Sequence, residues 1–208
     1  MDGFERRKEQ SKEDIRRAAW ELFSQFGVDK VSIADIARKA GVSQATIYNN
    51  FGNKEALVRE FVTGAVEHLV YSVEEILTPK MSFQEKMTAF IRFISEMMVA
   101  DQPSAAERVI FSSLDLQNDP EIKKIRTTAQ EKMTGLMLGL IREGKEQGQV
   151  NPKLSEAALR IYFAVFMDAF SNLQLQQQYY QNPSLVQELG SLMLYGLSSQ
   201  QDRGLIAG

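Results

Sequence analysis

The chain has 208 residues, 44% hydrophobic and 25% charged, which is enough apolar content for a packed core in one or two domains. It holds no cysteine, so disulfides, thiolate metal sites and a cysteine nucleophile are excluded, and a reducing cytoplasm is the expected location. The net charge of −3 divides into +1 for residues 1–55 (ten Lys or Arg, nine Asp or Glu) and −4 for the remainder, a balance that neither demands nor forbids a polyanionic partner.

The first ten residues, MDGFERRKEQ, are charged and lack an apolar core, so no secretory leader is expected there. They read either as a solvated, frayed end or as a basic arm, with Arg6, Arg7 and Lys8, that reaches DNA phosphates. Ser11 with Asp14 has the spacing of a capping box, which predicts a first helix from there to about Phe26. Ile15, Ala18, Ala19, Leu22, Phe23 and Phe26 give it one apolar stripe, Trp20 lies beside that stripe, and Gly27 ends it.

Residues Ser32 to Lys54, SIADIARKAGVSQATIYNNFGNK, organise the rest. Ile33, Ile36, Ala37 and Ala40 keep the rhythm of one buried helical face, and Ser32 with Asp35 forms a second capping box. Gly41 breaks the helix, and Ser43 is the N-cap of another running from Gln44 to about Asn50. In this helix Ile47 and Phe51 point inward, while Gln44, Ala45, Thr46, Tyr48 and Asn49 are available outward. Two short helices joined through a glycine, the second polar on its outer face, describe a helix-turn-helix with its recognition helix. Asn53 then caps a long helix from Lys54 to about Leu77. A lysine in a helix's first turn opposes the dipole unless an anion is bound there, as a DNA phosphate would be.

The run IADIARKAGVSQATIYNNFGNKEAL, together with the preceding ELFSQFGVDKVS, resembles the DNA-binding domain of the tetracycline-repressor (TetR) family over residues 11–62. Ala45 stands where that family often has Gly, and Asn50 where it often has His; both departures bear on the operator sequence. The resemblance implies that Gln44, Ala45, Thr46 and Asn49 face base edges, with Ala45 able to touch a thymine methyl. It implies that Ser32, Ser43, Tyr48 and Lys54 grip phosphates.

After Thr78-Pro79, Ser82 with Glu85 starts a helix carrying Phe83, Met87, Phe90, Ile91, Ile94 and Met98. Pro103 restarts another, Asp119-Pro120 opens one that reaches about Gln147, a further helix spans Leu154 to Gln178, and Asn182-Pro183 opens the last, which ends near Ser199. The fold class is therefore all-α with about nine helices: a DNA-reading domain over 1–55, a sensing and dimerising domain over 56–200, and a tail over 201–208. The helix from Leu154 is apolar nearly all round, so it is buried on every side, against its own core or against a second copy. The family's habitual homodimer favours the second copy and nominates Leu159, Phe163, Phe166, Leu185, Leu189, Leu192 and Met193 for the interface.

An excess of Met and Phe suggests a cavity for an apolar or amphipathic effector, with Phe90, Phe93, Ile94, Met97, Phe111, Met133, Met137, Phe166 and Phe170 as its lining; the competing reading is ordinary core. Gly139–Lys145 matches the letters of a phosphate-cradling GxxxxGK loop, but Glu146 replaces its Ser or Thr and no strand precedes it. Gly135 and Gly139 permit either a close helix crossing or room beside a cavity. His68 is the sole histidine and no GxSxG elbow exists, so neither metal, cofactor nor catalytic activity is expected. The Gln174–Gln181 run reads as a solvated helix end or as an amide-rich rim for a polar ligand. The sequence thus predicts a dimeric repressor that binds a double-stranded, near-palindromic operator and leaves it on binding an effector. An architectural or partner-recruiting DNA binder of the same fold is the alternative.

Overall fold

The computed structural model of the protein describes residues 3–78, 80–99, 119–171, 175, 178, 179, 181, 182 and 184–197. The expected helix from Pro103, Phe111, half of the Gln174–Gln181 run and the tail lie outside the described residues. Eight helices occur among the described residues: α1 (Gly3–Phe26), α2 (Ile33–Ala40), α3 (Gln44–Phe51), α4 (Lys54–Leu77), α5 (Phe83–Val99), α6 (Pro120–Glu146), α7 (Glu156–Ser171) and α8 (Ser184–Leu197). The architecture is all-α.

Helix starts follow local chemistry. The Ser32 hydroxyl accepts from the Asp35 N–H while the Asp35 carboxylate accepts from the Ser32 N–H at 3.0 Å, a complete capping box. Ser82 and Glu85 repeat it at α5. Asn53 accepts from the Ala56 N–H at 2.8 Å, and Asp119 from the N–H groups of Glu121 and Ile122 at 2.9 and 3.1 Å.

The start of α1 differs from expectation. The helix begins at Gly3, so Ser11 and Asp14 lie inside it, and residues 3–10 are helical instead of frayed. No Gly or Pro interrupts residues 4–26, and opposite charges meet at helical spacing: Lys12 with Glu9 at 2.9 Å, Arg16 with Glu13 at 3.7 Å, and Arg17 with Asp14. The Ser11 hydroxyl is buried with no hydrogen-bond partner in this position.

The described residues fall into two units, one holding 3–68 and 119–126, the other 69–99 and 127–197. In the first, α1 packs on α2 and α3 through Ile15, Ala18, Ala19 and Phe23 against Ile36, Ala37 and Ile47. The Trp20 ring stands edge-on to Phe61 at 5.0 Å, and Gly64 admits it: a Cβ there would lie 3.1 Å from the indole. In the second, α5 packs on α8, with Gly190 pressed against Ile91. Lys86 is buried but paired with Glu143 at 2.6 Å, as a buried charge requires. No described helix is long and apolar enough to cross a membrane.

Candidate nucleic-acid interface

Between α2 and α3 the chain must reverse within three residues. Gly41 does so at φ +68°, and the Val42 N–H returns to the Ala37 carbonyl at 3.0 Å. Ser43 then caps α3, accepting from the Thr46 N–H at 3.1 Å. α3 has one fully buried residue, Ile47, and is held from below by it. Gln44, Ala45 and Asn49 are exposed, and the Tyr48 ring is 49% exposed. An exposed aromatic ring with a hydroxyl, flanked by two amides, is a surface suited to hydrogen bonding along a groove.

The hydroxyls are partly committed. Ser43 Oγ and Thr46 Oγ1 lie 2.8 Å apart, so one donates to the other and one O–H is left for a phosphate. Thr46 is half-buried, and its carbonyl accepts from the Asn50 amide at 2.9 Å. Ser32 Oγ gives its proton to Asp35, whose carboxylate also accepts from Arg38 at 2.7 Å. The Ser32 hydroxyl and N–H, with Arg38 behind them, hold the Asp35 carboxyl below the usual carboxylate range. Lys54 occupies the first position of α4 and has no ion-pair partner among the described residues, whereas Arg16, Arg17, Arg38 and Lys39 are all paired with carboxylates. Lys54 thus stands at a helix N-terminus, where free N–H groups already favour an anion.

Of the residues nominated for an effector cavity, Phe90, Ile94, Met133 and Met137 are buried, Phe93, Met97 and Phe166 are half-buried, Phe111 lies outside the described residues, and Phe170 belongs to α7. A groove of about 680 Å³ in the second unit is lined instead by Val70, Leu77, Leu136 and Leu140 with Glu74, Lys132 and Glu143 at its polar edge. Gly135 and Gly139 line it too, and among the described residues a Cβ at either would meet nothing within 4 Å, so there this glycine pair leaves room beside the groove. Gly144 is different: a Cβ there would come within 2.6 Å of Val150 and 2.7 Å of Phe83. The GxxxxGK letters thus lie inside α6, with their second glycine packed against side chains. Among the described residues no group of His, Cys, Asp or Glu is placed to hold a metal.

Of the nominated interface residues, Leu159, Phe163 and Met193 are buried within the single chain, Phe166, Leu185 and Leu189 are half-buried, and Leu192 is 66% exposed. Ile161 and Val165, which the sequence reading did not nominate, are 67% and 66% exposed on α7, and Tyr195 is half exposed on α8. The signal was present in the sequence. Leu159, Phe163 and Phe166 form one stripe of α7, and Ile161 and Val165, four apart, form a second.

These features define a helix-turn-helix transcriptional regulator. Residues 15–61 match the family described as bacterial regulatory proteins, tetR family. The chain is 22% identical over 185 residues to the fatty acid metabolism regulator protein of Bacillus subtilis (strain 168), covering 88% of this chain and 93% of that protein. It is 24% identical over 145 residues to the HTH-type transcriptional repressor KstR2 of Mycolicibacterium smegmatis, covering 69% of each. The structure of the transcriptional regulator FadR from Bacillus subtilis, solved in complex with stearoyl-CoA, shares the fold at a TM-score of 0.65 and 21% identity, covering 89% of this chain and 99% of that one. The match to the tetR family thus covers the helix-turn-helix region, residues 15–61, and these relatives are regulators, not enzymes.

Proposed function

We propose that the chain works in the cytoplasm as a homodimeric repressor that grips a near-palindromic operator and is released by an apolar or amphipathic small molecule. The observation that carries this reading is the recognition helix itself: Tyr48, Gln44, Ala45 and Asn49 exposed on α3, beside the unpaired Lys54 at the start of α4. In the dimer each α3 enters one major groove, with the two half-sites about 34–36 Å apart or a little more. Gln44, Ala45, Thr46 and Asn49 read base edges; Ser32, Ser43, Tyr48 and Lys54 fix register on phosphates. Repression follows the naming of KstR2, and the complex of the Bacillus subtilis FadR with an acyl thioester supports an effector with a long apolar part.

The dimer contact is carried by α7 and α8, whose exposed Ile161, Val165 and Leu192 stand too far into water for a lone chain to favour. The effector acts by favouring a dimer arrangement that fits the operator poorly. A hundredfold loss of DNA affinity needs a coupling of about 2.7 kcal/mol, within the usual allosteric range.

The test is fluorescence anisotropy with DNA tiled across the region upstream of the protein's own gene, at two salt concentrations, comparing wild type with Tyr48→Ala. The reading requires tight, salt-sensitive binding to one near-palindromic tile, lost in the variant. Equal, weak binding to every tile would favour an architectural role. A melting temperature raised by long-chain acyl compounds would support the effector class.

A further inference from the structure

A recognition helix of eight residues with one buried side chain is free to pivot unless both ends are held. The Ser43 cap holds the N-terminal end. At the other end Phe51 is half-buried, and a cation lies over its ring: the Arg16 guanidinium is 5.6 Å from the ring centroid. Arg16 is itself oriented by Glu60 of α4, with Nε 2.7 Å and a second nitrogen 3.5 Å from the two carboxylate oxygens. Glu13 lies 3.7 Å from its third nitrogen. One side chain of α1 therefore meets the last residue of α3 and the second turn of α4.

We infer that Arg16 is a positioning residue for DNA reading, which fixes the angle of the recognition helix by holding Phe51 through a guanidinium that Glu60 of α4 orients. The inference rests on the reading of α3 as the DNA-contacting helix. Tyr48 and Asn49 lie three and two residues before Phe51, so any swing of that end moves the groups that meet the DNA. A direct phosphate contact is disfavoured, because a phosphate approaching Arg16 would meet the carboxylates of Glu13 and Glu60. The same carboxylates, Glu60 foremost, raise the Arg16 guanidinium above its ordinary range. The pair is also nearly half exposed, and exposed pairs add little to stability, so its effect falls on geometry.

The experiment measures affinity of the full-length protein for its best operator and for unrelated DNA, across a salt series, in Arg16→Ala, Arg16→Lys and Glu60→Gln beside wild type and Tyr48→Ala. Arg16→Ala lowers operator affinity by about tenfold while binding to unrelated DNA and the salt slope stay unchanged, since specificity depends on aligned base contacts and not on phosphate count. Glu60→Gln moves in the same direction, and Arg16→Lys, which keeps a cation over the ring, restores most of the affinity. Unchanged operator affinity in both Arg16→Ala and Glu60→Gln would overturn the inference. So would a uniform loss with a salt slope reduced by about one phosphate and no effect of Glu60→Gln, which would make Arg16 a phosphate ligand. If Arg16→Ala does not fold, Glu60→Gln and Arg16→Lys decide alone. Wild type indistinguishable from Tyr48→Ala on every DNA would instead defeat the regulator reading, and the positioning role with it.

Discussion

Gly139 and Gly144 sit on the same helix, and a methyl group would have opposite effects at each. At Gly144 a Cβ would press into Phe83 and Val150, so Gly144→Ala is expected to cost about 1–3 kcal/mol, as overpacking does. At Gly139 the Cβ would enter open space, and Ala is the better helix former; Gly139→Ala is expected to stabilise by about 0.5–1 kcal/mol. Urea denaturation of the two variants checks both signs. The letters GxxxxGK carried neither fact, because what faces a glycine is decided by residues distant in sequence, Phe83 above all. Exposure on α3 was more legible. The period of Ile47 and Phe51 predicted which way Tyr48 and Asn49 point, although not that the Ser43 and Thr46 hydroxyls would bond each other.

Caps set most of the element boundaries, and they were readable because they are local: Ser32 with Asp35, Ser82 with Glu85, and Asp119 before Pro120 all lie where their spacing put them. Ser11 with Asp14 has the same spacing and lies inside α1. Charge pairs across residues 9–17 let the helix run past it, so a cap signature marks a start only where the upstream chain cannot continue the helix. The caps also carry a pH dependence. Asp35 is held below its ordinary pKa by Ser32, Glu85 by the Ser82 N–H and hydroxyl, and Asp119 by Arg59 first and then by the Ile122 N–H. A depressed carboxyl contributes stability that is complete above its unfolded value, near 4, and is lost as pH falls through the lower folded value. Thermal melts between pH 7 and pH 3 are expected to show a flat Tm down to about pH 5 and a falling one below it. Asp119→Asn, which still caps α6, should melt close to wild type at neutral pH, whereas Asp119→Ala should melt a few degrees lower. Equal melting of the two would show that the ion pair with Arg59, not the cap, is what Asp119 supplies.

At the scale of the molecule, the sequence offered one helix-turn-helix stretch and one run of apolar helices. It did not say which apolar face of α7 stays inside, since Leu159, Phe163 and Phe166 look no different in composition from Ile161 and Val165. In the folded chain the second pair faces water. Ile161→Glu and Val165→Glu are therefore expected to keep the fold and the first unit's melting, yet to yield a monomer by light scattering. Operator affinity should fall more than a hundredfold once the two half-sites are no longer bound together. A dimer that survives both substitutions would remove α7 from the interface.

The most direct test of the account is selection of binding sites from a random-sequence DNA library by the full-length protein, with Tyr48→Ala selected in parallel. The account predicts enrichment of an inverted repeat whose half-site centres lie about one helical turn or a little more apart, and no enrichment by the variant. A pool that stays random with wild type, or the same motif enriched by Tyr48→Ala, would contradict the assignment of α3 as the helix that reads DNA.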